Sequence, residues 1–432
     1  MTHPDHTATG STGHDPEATE ATEPVRPAGG GSLRPVAVLA VGSFAMGTDS
    51  FVLAGILPNI AGGLHVSTAA AGQTITVFAL TYALTAPLLA GITGALPRKP
   101  LMLAALGLFV LANLASAAAP TLALLLVARV AAGLGAALYT PNASAAATAL
   151  VSPARRGRAL AMVLGGLTVG TVLGVPAGTA IGQRISWQAS LIFVAVVGLV
   201  AMLGILVTLP SLALPPAVPL RARFALLGNR RVLAIVAVML LASAASISVY
   251  TYIAVVLAHT AHITGTTLAA VLLTWGAGGA VGAFGSGALT DRYGPGRTLL
   301  LAITLLTVTL AALTVATSVI AVFVVMAVNG AAAWAVATPN NHRLTALAPP
   351  LPGVVISLNS SGIYLGQALG AAAGGLLLDH QLTPDRLPLV GAALSAVALT
   401  AHLLTIRKKA FRVTERPVTR SEPPSKDSPD YE

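Results

Sequence analysis

Between Glu23 and Glu415 the chain carries only four acids, Asp49, Asp291, Asp379 and Asp385. Asp49 is the one set midway along an apolar run, within Gly47-Thr48-Asp49-Ser50-Phe51. A carboxylate inside a membrane costs from about 3 kcal/mol upward, and burial favours its neutral form. Such a group can take up and release a proton as its surroundings alternate between wet and dry. The plainer alternative is a polar residue in a water-filled vestibule that holds a cation. Arg129 is the other charge inside an apolar run. A guanidinium keeps its charge, so it needs an anion or carbonyl partners. Asp49 is the acid at comparable depth, and pairing with it stands beside hydrogen bonding to helix carbonyls as an equal alternative.

Other polar side chains are scattered through apolar runs: Asn142, Tyr250, Tyr252, Trp275, Asn340, Asn359 and Gln367. Each alone fits interhelical hydrogen bonding. Together they would suit a mostly apolar cavity with a few polar groups, the usual form of a small-ligand pocket. The nine histidines show no metal-ligand spacing and read as surface residues. There is no cysteine, so disulfides, thiolate metal sites and cysteine nucleophiles are excluded. No phosphate-binding G-x-x-x-x-G-K-[ST] loop, H-E-x-x-H pair or serine elbow occurs, so neither a nucleotide, a metal, a cofactor nor hydrolytic chemistry is expected.

These residues must be positioned by membrane-spanning elements. Of 432 residues, 55% are hydrophobic and 9% charged, with mean hydropathy +0.82. A soluble protein carries roughly 25% charged residues, so this chain lacks the charge to cover a water-facing surface. The net charge of +10 would fit a nucleic-acid binder, but not with such long apolar runs. Runs of about 20 residues, enough for roughly 30 Å of hydrocarbon, are expected near 36–60, 74–95, 101–118, 121–146, 159–181, 189–209, 232–256, 267–288, 298–316, 319–340, 353–377 and 388–405. The fold class is therefore an all-α membrane protein with twelve transmembrane helices. With loops numbered alternately, 21 of the 24 Lys and Arg fall on the side of both tails; Arg184 and Arg386 fall on the other, and Arg129 lies within a helix. That asymmetry puts both termini in the cytoplasm. The polar segment 1–34 has the composition of a disordered tail, and 407–432 forms a second tail.

The chain reads as a duplication. Gly170-Thr-Val-Leu-Gly-Val-Pro-Ala-Gly178 and 366–374 (GQALGAAAG) match at an offset of 366 − 170 = 196. Thr140-Pro141-Asn142 and Thr338-Pro339-Asn340 match at 338 − 140 = 198, and Gly91 pairs with Gly287 at 196. Two pseudo-symmetric six-helix bundles, 35–209 and 232–406, joined by a linker at 210–231, follow from this. Parallel repeats of this kind are a transporter architecture. In the fifth run Gly170, Gly174, Pro176 and Gly178 point to a kink and close helix packing, and the same segment could serve as a pivot. Between the eighth and ninth runs, Gly287, Asp291, Arg292, Gly294 and Arg297 form either a solvated turn or a latch, with Asp291 near a helix N-terminus and the two arginines as its ion-pair partners.

At residues 35–406 the chain resembles the major facilitator superfamily, and within it the twelve-helix drug:proton antiporter branch, near arabinose-efflux-like and chloramphenicol-efflux-like permeases. Gly47 to Pro58 resembles the first-helix motif, with Asp49 one position before the family's usual acid. Arg129-Val130-Ala131-Ala132-Gly133 resembles the fourth-helix motif whose Arg serves proton transfer. Gly170 to Gly178 resembles the fifth-helix antiporter motif, with Gly174-Val175-Pro176 for the usual Gly-Pro. Gly287 to Arg297 resembles the loop motif G-x-L-x-D-R-x-G-x-x-R, and its counterpart Gly91 to Lys99 has Ala95 in place of the acid. Leu358-Asn359-Ser360-Ser361 through Gly366 resembles the eleventh helix of sugar- and drug-efflux members. The resemblance implies a monomeric plasma-membrane exporter that couples inward proton flux to outward movement of a small, partly apolar compound. It implies no enzyme activity. The alternatives are a sugar or nucleoside exporter, or a non-transporting receptor or scaffold on the same fold.

Overall fold

A computed structural model describes residues 33–93, 96–210, 212, 228–349 and 352–413. The expected N-terminal tail, nearly all of the linker, Ala95 and the end of the C-terminal tail lie outside the described residues. Among the described residues, twelve helices are long and apolar enough to cross a membrane. They are α1 (Arg34–Gly63), α2 (Thr68–Ile92), α3 (Arg98–Ala117), α4 (Leu122–Ala149), α5 (Pro153–Arg184), α6 (Trp187–Thr208), α7 (Arg230–Tyr250, continued by Ile253–Thr260), α8 (Gly265–Tyr293), α9 (Pro295–Ala312), α10 (Val319–Thr345), α11 (Pro352–Asp379) and α12 (Leu387–Val413). Every expected run is found. An even number of crossings brings both ends of the described chain to one face, here termed the terminal face.

Boundaries shift where capping residues decide them. α2 begins at Thr68 rather than 74 because the Ser67 hydroxyl accepts from the Ala70 N–H. Thr121, Ser186 and Ser318 cap α4, α6 and α10 in the same way. Each supplies an oxygen to an N–H that has no partner within its helix. α9 ends at Ala312 rather than 316, and the turn before Ser318 separates it from α10.

The two halves are built in one register. On α5, a side chain at Gly166 or Gly170 would run into the carbonyls of Ala40 and Phe44 on α1. On α11, Gly366 and Gly370 stand in the same way against Leu240 and Ala244 of α7. Each glycine meets a carbonyl 126 positions earlier (170 − 44 = 126; 366 − 240 = 126). Hydrocarbon gives helices no hydrophobic reason to associate, so small residues that let backbones approach supply the dispersion contacts. The turns after α1 and α7 also match: His65 and His262, 197 apart, both take a positive φ, of 54° and 55°.

Between the halves, α2 lies along α11 and α5 along α8. At the face opposite the termini the halves are shut. Gly72 of α2 faces the Tyr252 hydroxyl of α7, and the Ser67 hydroxyl lies 3.4 Å from Asp379 of α11.

The α1–α5 seam makes a direct prediction. Gly170→Ala pushes a carbon into the Phe44 carbonyl and should destabilise by about 1–3 kcal/mol. Gly285→Ala, whose added carbon meets open space, should be neutral or slightly stabilising, since Ala is the better helix former by about 1 kcal/mol. Thermal unfolding of the purified protein in detergent checks both.

Candidate functional site

The two intramembrane charges meet. Arg129 on α4 donates from Nη1 to Asp49 Oδ1 at 2.9 Å and from Nη2 to Oδ2 at 3.0 Å. Both side chains are about 1% exposed. Of the two readings the sequence left open, the carboxylate partner is the one found. The fork of the guanidinium matches the two carboxylate oxygens, which gives the pair direction as well as attraction. The planar cation also lies over the Phe78 ring of α2, 4.6 Å from its centroid. Asn113 of α3 brings its Oδ1 to 3.5 Å from Arg129 Nη1 and donates from Nδ2 to the Phe109 carbonyl. Arg129 Nε has no hydrogen-bond partner among the described residues. Four helices of the first half thus converge on one ion pair.

The fifth-helix motif backs this pair. Its interruption is a π-helical turn, Gly170–Gly174, immediately before Val175-Pro176, rather than a bare proline kink. Pro176 has no N–H for the carbonyl four residues back, and the wider turn accommodates the mismatch. The motif presses on α1 beside Asp49. The Thr48 hydroxyl donates to the Phe44 carbonyl at 2.9 Å and lies 3.1 Å from the Gly170 carbonyl. Gly174 leaves room for that hydroxyl, and Gly178 leaves room for Val52.

Next to Asp49 the halves touch through aromatic rings. Phe51 of α1 meets Tyr250 at 5.6 Å, Trp275 at 5.7 Å and Trp334 at 6.2 Å between centroids. Tyr250 and Trp275 are themselves 4.2 Å apart, and the buried Tyr250 hydroxyl has no partner among the described residues. Trp275 donates from Nε1 to Asn329, which donates on to Thr309. Tyr82 of α2 stacks on Tyr364 of α11 at 3.7 Å, and Tyr364 lies beside Ser50, the neighbour of Asp49 in the chain. The sequence reading missed Phe51, Phe78, Tyr82, Asn113, Trp334 and Tyr364. Phe51 lay within the first-helix motif but carried no charge to mark it; the others have neither charge nor motif spacing and carried no signal beyond being aromatic or amide groups in apolar runs.

The remaining expected site residues lie apart. Asn340 donates to Asn359 at 2.8 Å and to the Ile235 carbonyl, and Asn359 donates to Asn341, tying α7, α10 and α11 near the terminal face. Asn142 accepts from Arg98 and donates to the Leu138 carbonyl, an α3–α4 tie. Tyr252 donates to the Ala371 carbonyl of α11 at 2.9 Å, so its hydroxyl is used within the second half. Gln367 is 8% exposed and is not joined to these groups.

Two expectations need correction. Asp291, Arg292 and Arg297 are exposed, and Asp291 makes no ion pair among the described residues. Arg292 instead lies over its neighbour Tyr293. In water a pair of this kind gains less than about 1 kcal/mol against the entropy of ordering two side chains. Of the expected loop geometry, the α8–α9 turn at Gly294 is present, with φ of 83°, a conformation that favours glycine. His402 of α12, read from sequence as a surface residue, is fully buried. Arg343 of α10 donates to its Nδ1 at 2.9 Å, so Nε2 carries the hydrogen and donates to the Gly296 carbonyl at 3.0 Å. A further pairing, His259 with Asp385 at 3.6 Å, lies exposed at the opposite face.

A family model described as Major Facilitator Superfamily matches residues 39–257 and 235–429. The chain belongs to the major facilitator superfamily. It is 34% identical to the MFS-type transporter YbcL of Bacillus subtilis, over 85% of this chain and 94% of that protein. It is 31% identical to the inner membrane transport protein YdhP of Escherichia coli K12, over 87% of this chain and 96% of that one. A chloramphenicol resistance protein of Streptomyces lividans is 33% identical over 80% of this chain and 89% of its own length. This member of the superfamily is accordingly a multi-pass membrane transporter, and the twelve-helix fold of two six-helix bundles is the fold of that family.

Removing one member of a buried pair strands the other charge, at a cost of about 3–5 kcal/mol. Asp49→Asn and Arg129→Gln should therefore each lower the melting temperature sharply. The double variant should lose clearly less than the sum. A strictly additive double variant in the same melting experiment would mean that the two charges do not stabilise each other.

Proposed function

We propose that this transporter is a proton-coupled exporter of a small, partly apolar compound, working as a monomer by alternating access with both termini in the cytoplasm. The observation that carries the reading is the bidentate Asp49–Arg129 pair, sealed from solvent beside the junction of the halves. A proton arriving on Asp49 removes the charge that holds Arg129 and leaves one carboxyl oxygen as a donor. The guanidinium then turns its Nη groups to other acceptors, with Asn113 within 3.5 Å. Loss of the proton restores the fork. Because Thr48 bridges to the π turn of α5 and Ser50 sits beside Tyr364 of α11, a change at Asp49 is felt on both sides of the half–half junction. Proton and substrate must favour different arrangements of the halves for one to drive the other.

The substrate region in this reading is the aromatic cluster of Phe51, Tyr250, Trp275 and Trp334, drawn from both halves. Parting of the halves would open the faces of these rings and the free Tyr250 hydroxyl to a ligand. The relative named for chloramphenicol resistance supports export of a compound of this kind. The amide chain of Asn340, Asn341 and Asn359 is the one feature that favours a polar substrate such as a sugar or nucleoside.

The test is proton movement in inside-out vesicles energised by a pH gradient, with a panel of drugs, sugars and nucleosides added to wild type and Asp49→Asn. One compound class should collapse the gradient in wild type and leave it intact in the variant. Equal responses from both proteins would remove Asp49 as the coupling group. Tyr364→Ala should slow the substrate-dependent response by up to about tenfold, the scale of one lost aromatic pair. An unchanged rate would exclude the Tyr82–Tyr364 stack from the coupling.

A further inference from the structure

α5 and α6 meet near the opposite face, where the Ser190 hydroxyl donates to the Gly178 carbonyl at 2.7 Å. Toward the terminal face they diverge, and α1 forms the floor between them. The gap is an apolar groove of about 620 Å³ lined by residues including Ala37, Val41, Phe44, Met162, Gly165 and Val200. Val41, Val169, Val196 and Val200 leave between a third and three-fifths of their surface uncovered there. The groove is kept open by what is missing from it. A carbon added at Gly165 would meet no atom within 4 Å.

The mouth of the groove is basic on the α5 wall and at the start of the α1 floor. On α5 the lining stripe is Met162, Gly165, Gly166 and Val169. Arg158, four positions before Met162, shares that face of the helix, and Arg155 sits in the 3-10 turn that leads into it; both are exposed. On α1, Arg34 stands three residues before Ala37, again below the lining stripe. The second half lacks these arginines, since Leu351 and Val354 occupy the positions 196 residues on from Arg155 and Arg158. An apolar channel rising from a cluster of arginines at the membrane boundary has the polarity of a phospholipid, and the positive mouth selects a negative headgroup.

We propose that this groove binds one anionic phospholipid of the surrounding bilayer, with an acyl chain along α1 between α5 and α6 and its phosphate at Arg155 and Arg158. The bound chain fills the space left open at Gly165 and covers the α1–α5 seam from the bilayer side. Retention of the lipid does not depend on what the protein transports or on whether protons drive it.

The test is native mass spectrometry of the intact protein released from micelles supplemented with phosphatidylglycerol or phosphatidylcholine. Wild type should retain one phosphatidylglycerol with a preference of roughly tenfold or more, the scale of two arginines at a charged surface. Arg155→Gln with Arg158→Gln, both exposed and so compatible with folding, should abolish the preference. Gly165→Leu, which fills open space, should remove the tightly held lipid of either headgroup while the lipid-free melting temperature stays at the wild-type value. No preference in wild type, or a preference that survives the arginine changes, overturns the proposal. Loss with the arginine changes but not with Gly165→Leu overturns the acyl-chain placement.

Discussion

Hydrocarbon offers no hydrogen-bond partner, so each backbone N–H and C=O inside it is bonded within its own segment. That constraint leaves helices as the only economical form for this chain, and it also governs how they meet. Helices already satisfied in their backbones gain from each other mainly by close approach. The glycine-on-carbonyl ladders of α5 on α1 and α11 on α7 are this solution used twice in one register. Many Ser and Thr hydroxyls follow the same rule: Thr48, Thr85, Thr140 and Thr208 each bond the carbonyl four residues back, which satisfies the hydroxyl within its own helix.

Against that background, charge is concentrated in one half. Phe78, Asn113 and Arg129 occupy α2, α3 and α4, and Asp49 completes the group from α1. The same helices of the second half, α8, α9 and α10, bring together Trp275, Thr309 and Asn329 in a neutral chain of hydrogen bonds. Duplicated architecture has thus been given two chemistries. In the proposed function the first half holds the titrating pair, and the second supplies all three rings that face Phe51 and, from α11, the Tyr364 that lies beside Ser50 next to Asp49. Neither half contains the whole arrangement, which is why the junction carries the functional argument.

Basic residues at the terminal face do more than mark topology. Arg98 reaches in to Asn142 and Arg343 to His402 and Thr405, tying neighbouring helices at equivalent ends of the two bundles. Long arginine stems allow a charge at the boundary to engage groups below it. Arg155, Arg156 and Arg158 stay at the surface instead.

The sequence alone determined the twelve helices, the duplication and the two intramembrane charges, because each rests on local composition. A run of twenty apolar residues has little choice but to span, and an ionised group within it stands out against its neighbours. The glycine motif of α5 was legible as close packing for the same reason. Tertiary structure decided what composition leaves undetermined: which acid Arg129 meets, that the α5 interruption is a π turn, and that Tyr252 and Asn142 are engaged in helix ties away from the aromatic cluster. It also decided that His402 is buried and that Asp291 stands apart from Arg292 and Arg297. For Arg129, Tyr252, Asn142 and His402 the partner lies on another helix, and its position depends on helix rotation and depth. A 3.6-residue period fixes which residues share a face, but only packing against α1, α7 and α11 fixes where each face points.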